Sequence, residues 1–263
     1  MMRSIENQGC GARPMRKLAV VLVLALAIPL VAVESVAAAS TCFADGNTLE
    51  RRLMRGHIDG DGVVDDVWVG ARRVDGTCRY YVFARASTAG TSRVRVPTPD
   101  RFSRFSLRNA ARPIAMVRVD SVAGKEIAVK LLEGASVRPF GFFTMRFGSL
   151  RRMNIEATAP QPLAADNMFA FGGGLSLMFG TDCAYNKSPR TVVFSRAFPR
   201  NNGPRYVVER RWYQVRGYFF ARTARPTQRE LVGITRLRRR FPEFRNDGLL
   251  PHCQGKVLDP RRA

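Results

Sequence analysis

The chain has 263 residues, enough for one domain with a packed core, and its 43 Lys and Arg against 21 Asp and Glu give a formal charge of +22. With only two histidines, His57 and His252, and no HExxH or GxSxG pattern, the metalloprotease and serine-hydrolase motifs are excluded. Lysine occurs at five positions only, so the charge is arginine charge, spread from Arg51 to Arg262; it favours anionic partners in general without marking a site.

The first element is a secretion signal. Arg13, Arg16 and Lys17 precede the apolar run 18–33, and Ala37 and Ala39 place cleavage after Ala39; Met15 is an alternative start. Retention of the run as a membrane anchor is the competing reading, opposed by Glu34 and the small-residue site. The mature chain, 40–263, then reads as a single mainly-β domain with no later segment apolar enough to span a bilayer. It keeps Cys42, Cys78, Cys183 and Cys253, an even count that in an exported chain implies two disulfides. Of three pairings, Cys42–Cys78 with Cys183–Cys253 is favoured, because each bridge then staples one half of the chain.

Short β-branched and aromatic runs separated by Gly, Pro, Asn and Asp follow, with almost no helical periodicity. Strands are predicted at 65–71, 79–85, 92–97, 114–119, 126–132, 141–147, 175–180, 191–197, 205–215 and 218–223. In 92–96 the alternation of Arg93 and Arg95 with Val94 and Val96 is the half-buried pattern. Gly217 suits a tight hairpin. The Gly172–Gly174 run lacks a following helix pattern and reads as a strand entry rather than a phosphate cradle. In 210–225 arginines interleave with aromatics; core packing of Trp212 and Tyr213 is preferred to base stacking, and no nucleic-acid partner is expected. His252 reads as a surface residue, and 236–248 as a basic loop with a turn at 246–248. Similar strands recur at Val67, Ile127 and Val192, steps of 60 and 65 residues, each after a polar turn. That spacing suggests three degenerate units near 50–110, 111–170 and 171–235, each about four short strands, with a basic C-terminal segment.

The acidic stretch 57–71, HIDGDGVVDDVWVGA, stands out from the basic background. Acids at alternate positions of a turn, with Gly62 permitting reversal of the backbone, suit a hard cation with several oxygen ligands. The plainer reading is a hairpin whose Asp and Gly serve turn chemistry, its repulsion relieved by Arg51, Arg52 and Arg55. The stretch resembles the FG-GAP/VCBS repeat of integrin α-subunit propellers and of secreted bacterial proteins, small actinobacterial ones among them. Asp59, Asp61, Gly62, Asp65 and the following VWVGA carry the likeness. Phe171-Gly172 and Gly180-Thr181-Asp182 keep part of it in the third unit, and Asp120, Gly124 and Glu126 in the middle one.

The resemblance implies a propeller-like fold, incomplete or distorted because three units are too few for closure, with a β-sandwich or barrel as the alternative. It also implies a Ca2+ site formed by the side chains of Asp59, Asp61 and Asp65 and the carbonyl of Val63. His57 departs from the family at the first ligand position, and a neutral imidazole is a poor calcium ligand, so affinity is expected to be low. Asp66 points to the other side of the strand. The functional expectation is a secreted or cell-envelope binding or structural module, non-catalytic, with an anionic envelope polymer or another exported protein as partner. A hydrolase of envelope carbohydrate or ester working through a carboxylate pair, and a purely electrostatic binder of envelope polymers, are the alternatives.

Overall fold

The computed structural model describes residue 42 and residues 50–96, 111–132, 136–157, 159, 167–184, 191–245 and 249–257. The predicted signal segment, the Arg51 and Arg52 side chains and the turn at 246–248 lie outside the described residues.

Twelve of the fifteen strands among the described residues form three antiparallel meanders of four. The first comprises β1 (Glu50–Gly56), β2 (Asp65–Val74), β3 (Thr77–Ala86) and β4 (Gly90–Arg95). The second comprises β5 (Arg112–Arg118), β6 (Glu126–Lys130), β7 (Val137–Arg146) and β8 (Ser149–Ile155). The third comprises β9 (Phe169–Gly174), β10 (Leu177–Cys183), β11 (Thr191–Pro199) and β12 (Arg205–Arg216). β13 (Phe219–Arg222), β14 (Gln228–Gly233), the helix α1 (Ile234–Arg240) and β15 (Gln254–Val257) complete the chain.

Alternation explains the first sheet. Val67, Val69 and Ala71 of β2 pair with Ala84, Val82 and Tyr80 of β3, and all six are buried on one face. The other face carries Trp68 stacked on Phe83 with ring centroids 5.3 Å apart and Arg85 over the indole. The buried face packs on Met116, Ile127, Val129, Phe143 and Met145 of the second meander, making one core. The alternate residues of those strands, Ala115, Ala128, Phe140 and Phe142, enter a second core with Phe169, Phe194, Tyr213 and Phe220. The second meander is thus buried on both faces, which is why β6 reads as an unbroken buried run.

The fold is mainly β, and of the architectures anticipated the barrel is the one formed. A third separate blade does not exist. β7 is long enough to pair β9 through Val137–Phe140 and β8 through Phe142–Arg146. β12 turns at Gly217 into β13, which runs parallel to the end of β8. The path β7-β8-β13-β12-β11-β10-β9 returns to β7 and closes seven strands into a ring. Closure removes the edges that a free third blade would expose. Its interior is aromatic, with Phe169 within 5.5 Å of Phe142 and 4.9 Å of Phe220, so truncating Phe169 to Ala is expected to cost about 3–5 kcal/mol.

Both favoured disulfides are formed: Cys42–Cys78 ties the approach to β1 onto β3, and Cys183–Cys253 ties β10 to the chain before β15. The basic loop expected at 236–248 is instead α1 followed by a 3-10 turn at Pro242–Phe244. Leu237, Phe241 and Phe244 are buried against Met178, Tyr206, Val208 and Val232. Three apolar residues among seven charged ones gave too little periodicity to reveal it. No described helix is long and apolar enough to cross a membrane.

Candidate metal centre

The loop from His57 to Val64 joins β1 to β2. Asp59, Asp61 and Asp65 each offer a carboxylate oxygen there, all within 4.8 Å of one another, so the cluster could hold a metal ion. Asp59 is half-buried, Asp61 exposed and Asp65 buried. Every carboxylate oxygen accepts one hydrogen bond. Asp65 takes the N–H groups of Ile58 (2.8 Å) and Ser87 (3.2 Å), which pins the loop to the turn after β3. Asp59 takes the N–H of Asp61 (3.1 Å) and the hydroxyl of Thr88 (2.6 Å). Asp61 takes the N–H of Val63 (2.7 Å) and the hydroxyl of Ser87. The Ser87 hydroxyl, and after it the Val63 amide, hold the Asp61 carboxyl below its usual range, so it stays ionised. Gly62, with φ +85°, makes the reversal without strain.

Among the described residues, no ion pair reaches these three acids. Arg55 instead pairs with Asp66 at 3.0 Å, joined by Arg85 at 3.9 Å, on the opposite side of the strand. The Val63 carbonyl lies 2.8 Å from His57 Nδ1. A carbonyl only accepts, so Nδ1 carries the proton and His57 tethers the Val63 carbonyl rather than offering that nitrogen to a cation.

Residues 117–126 of the second meander reproduce the register and hydrogen bonds of this loop, and this copy of the arrangement balances its charge differently. Gly56 pairs Asp65 at the loop base, and Val117 pairs Glu126 in the same way 61 residues on. Ile58 N–H donates to Asp65, and Val119 N–H donates to Glu126 at 2.9 Å. Asp61 N–H donates to Asp59, and Val122 N–H donates to Asp120 at 2.9 Å. The strand registers place Thr88 three residues beyond Arg85 and Arg146 three beyond Phe143, each partner lying opposite the first residue after the acid. Where Thr88 offers a hydroxyl to Asp59, Arg146 offers Nη2 to Asp120 (2.5 Å) and to Glu126 (3.0 Å), and Nη1 to the Ala123 carbonyl (3.3 Å).

One guanidinium serves two carboxylates in that copy. Burial, then the charge of Asp120, pushes the Glu126 carboxyl up to about 7. The loops touch: a Cβ on Gly60 would lie 2.6 Å from the Ala123 Cβ, and one on Gly124 would lie 2.5 Å from the Ile58 carbonyl oxygen. Only glycine fits at either point. The sequence retained Asp120, Gly124 and Glu126 as signals of the copy. Arg146 was missed because it belongs to a different strand; counting register from Thr88 finds it.

His252 is exposed, as the sequence implied, and is also held to Asp182. Its N–H donates to Asp182 Oδ1 at 2.7 Å, and its Nδ1 lies 2.5 Å from Asp182 Oδ2. Asp182 is buried, and among the described residues it belongs to no group of three or more acids that could hold a metal ion. Comparison of the chain with protein-family models, with curated proteins and with solved structures finds no match.

Proposed function

We propose that this protein is an exported, disulfide-stapled binding or structural module of the cell exterior, of the FG-GAP/VCBS kind, whose 57–65 loop takes a calcium ion. The observation that carries the reading is the contrast between the loops. The copy compensates its acids with Arg146, whereas the first loop gathers three acids beside hydroxyls and, among the described residues, no ion-paired cation. Asp59, Asp61 and Asp65 with the Val63 carbonyl supply hard oxygen ligands, and calcium accepts such irregular sets. Four protein ligands and a histidine at the first position suit the weak range of extracellular modules, Kd about 10⁻⁴–10⁻³ M. Both disulfides fit export.

Thermal unfolding in calcium and in chelator tests this. At 5 mM calcium and a Kd of about 0.5 mM, linkage gives about 1.4 kcal/mol, or a Tm rise of about 3–6 °C. Asp61→Asn is expected to lose the rise. Equal Tm in calcium and chelator contradicts the proposal.

A further inference from the structure

A cavity of about 240 Å³ lies beside β10 and β12, walled by Asp182, Arg210, Trp212, Arg225, Glu243 and His252 among others. It is smaller than a pocket for a drug-sized ligand, about 300 Å³ or more, and suits one charged group. The two acids in its wall are already engaged. Asp182 holds His252 through two hydrogen bonds. Glu243 accepts the Ser195 hydroxyl at 2.8 Å and faces Arg210 at 3.5 Å. Burial pushes the Glu243 carboxyl up, which weakens its claim on Arg210 as the pH falls.

The arginines are left with donors to spare. Arg225 lies 4.0 Å over the Trp212 ring and, among the described residues, forms no ion pair. Arg210 lies over the same indole and over Phe241, and its Nε is buried without a hydrogen-bond partner. A buried donor with no acceptor is unusual enough in a folded protein to need a reason, and a bound ion is one. Guanidinium groups present their N–H donors in a planar fork that matches the oxygens of carboxylate and phosphate. Trp212 is itself buried, so each guanidinium is held against a rigid ring.

We propose that this cavity binds an oxyanion, the phosphate-ester or carboxylate group of a larger ligand, between Arg210 and Arg225. This site is independent of the calcium loop, and its failure would leave that reading untouched.

Calorimetric titration of the protein with inorganic phosphate and with D-glucuronate, each against chloride at matched ionic strength, tests it. Saturable binding of at least one probe is expected, weakened tenfold or more in Arg225→Ala. Arg93→Ala, an exposed arginine on β4 in the other sheet, is expected to change it less than twofold. In a Trp68→Phe background the remaining tryptophan, Trp212, is expected to change its fluorescence with the same titration curve. Tighter binding of phosphate assigns a phosphate ester as the natural group; tighter binding of glucuronate assigns a uronic-acid carboxylate. No saturable binding of either probe, or binding lost equally in Arg225→Ala and Arg93→Ala, overturns the proposal.

Discussion

Loop 57–65 and loop 118–126 share a backbone and differ in how they balance charge. Matching amides donate to matching acids, and corresponding positions, Thr88 just past β3 and Arg146 at the end of β7, deliver a side chain to the first acid of each. In one loop that side chain is Thr88, a neutral donor; in the other it is Arg146, a cation. The first loop keeps Asp61 where the second has the exposed Val122. Three acids beside hydroxyls could hold a cation from outside. Two acids around a guanidinium require none, and they become part of the core that supports the neighbouring loop. One backbone arrangement thus carries an acidic cluster that could hold a metal ion in one loop and an internal ion pair in the other.

The largest expected effect comes from breaking the self-contained loop. Arg146→Ala leaves Asp120 and Glu126 buried without their cation, and urea unfolding at pH 8 should show a loss of about 3–5 kcal/mol. An unchanged midpoint would remove Arg146 from the account. The next is the pH dependence of the same loop. Glu126 titrates near 7 in the folded protein against its usual 4.5. A raised folded value means its contribution is fully present below about pH 4.5 and is lost as pH rises through 7. The change amounts to about 3 kcal/mol across that window, and Glu126→Gln should flatten it in unfolding measured from pH 4.5 to 8. The first loop has the opposite sign. Asp61 is held down, so its contribution is present above its usual 3.8 and is lost as pH falls below that value.

The smallest effect makes the sharpest comparison. Thr88→Arg moves the second loop's solution into the first. In chelator it should raise stability by up to about 1 kcal/mol, since Asp59 is only half-buried. The calcium-dependent Tm rise should disappear. A variant that keeps the full rise would show that position 88 is not the counterpart of position 146.

Much of this was legible in the sequence. Short β-branched and aromatic runs located ten strands, and an even cysteine count with one bridge per half of the chain gave both disulfides. Asp59, Asp61 and Asp65 were found as a cluster because their pattern is local, lying within one turn. What stayed hidden depends on distance along the chain. Ring closure rests on β7 pairing β9 and on β13 meeting β8 in parallel, contacts that no local pattern encodes. The helix α1 hides its apolar residues among arginines. His252 and Asp182 are 70 residues apart and meet where the Cys183–Cys253 disulfide and the Leu250–Thr181 backbone hydrogen bond join the segments.

Calcium titration by calorimetry on the wild-type protein and on Asp61→Asn tests the central claim most directly. The account predicts one ion per chain, Kd about 10⁻⁴–10⁻³ M, with binding abolished by Asp61→Asn. No binding at millimolar calcium, or the same binding in the variant, would contradict it.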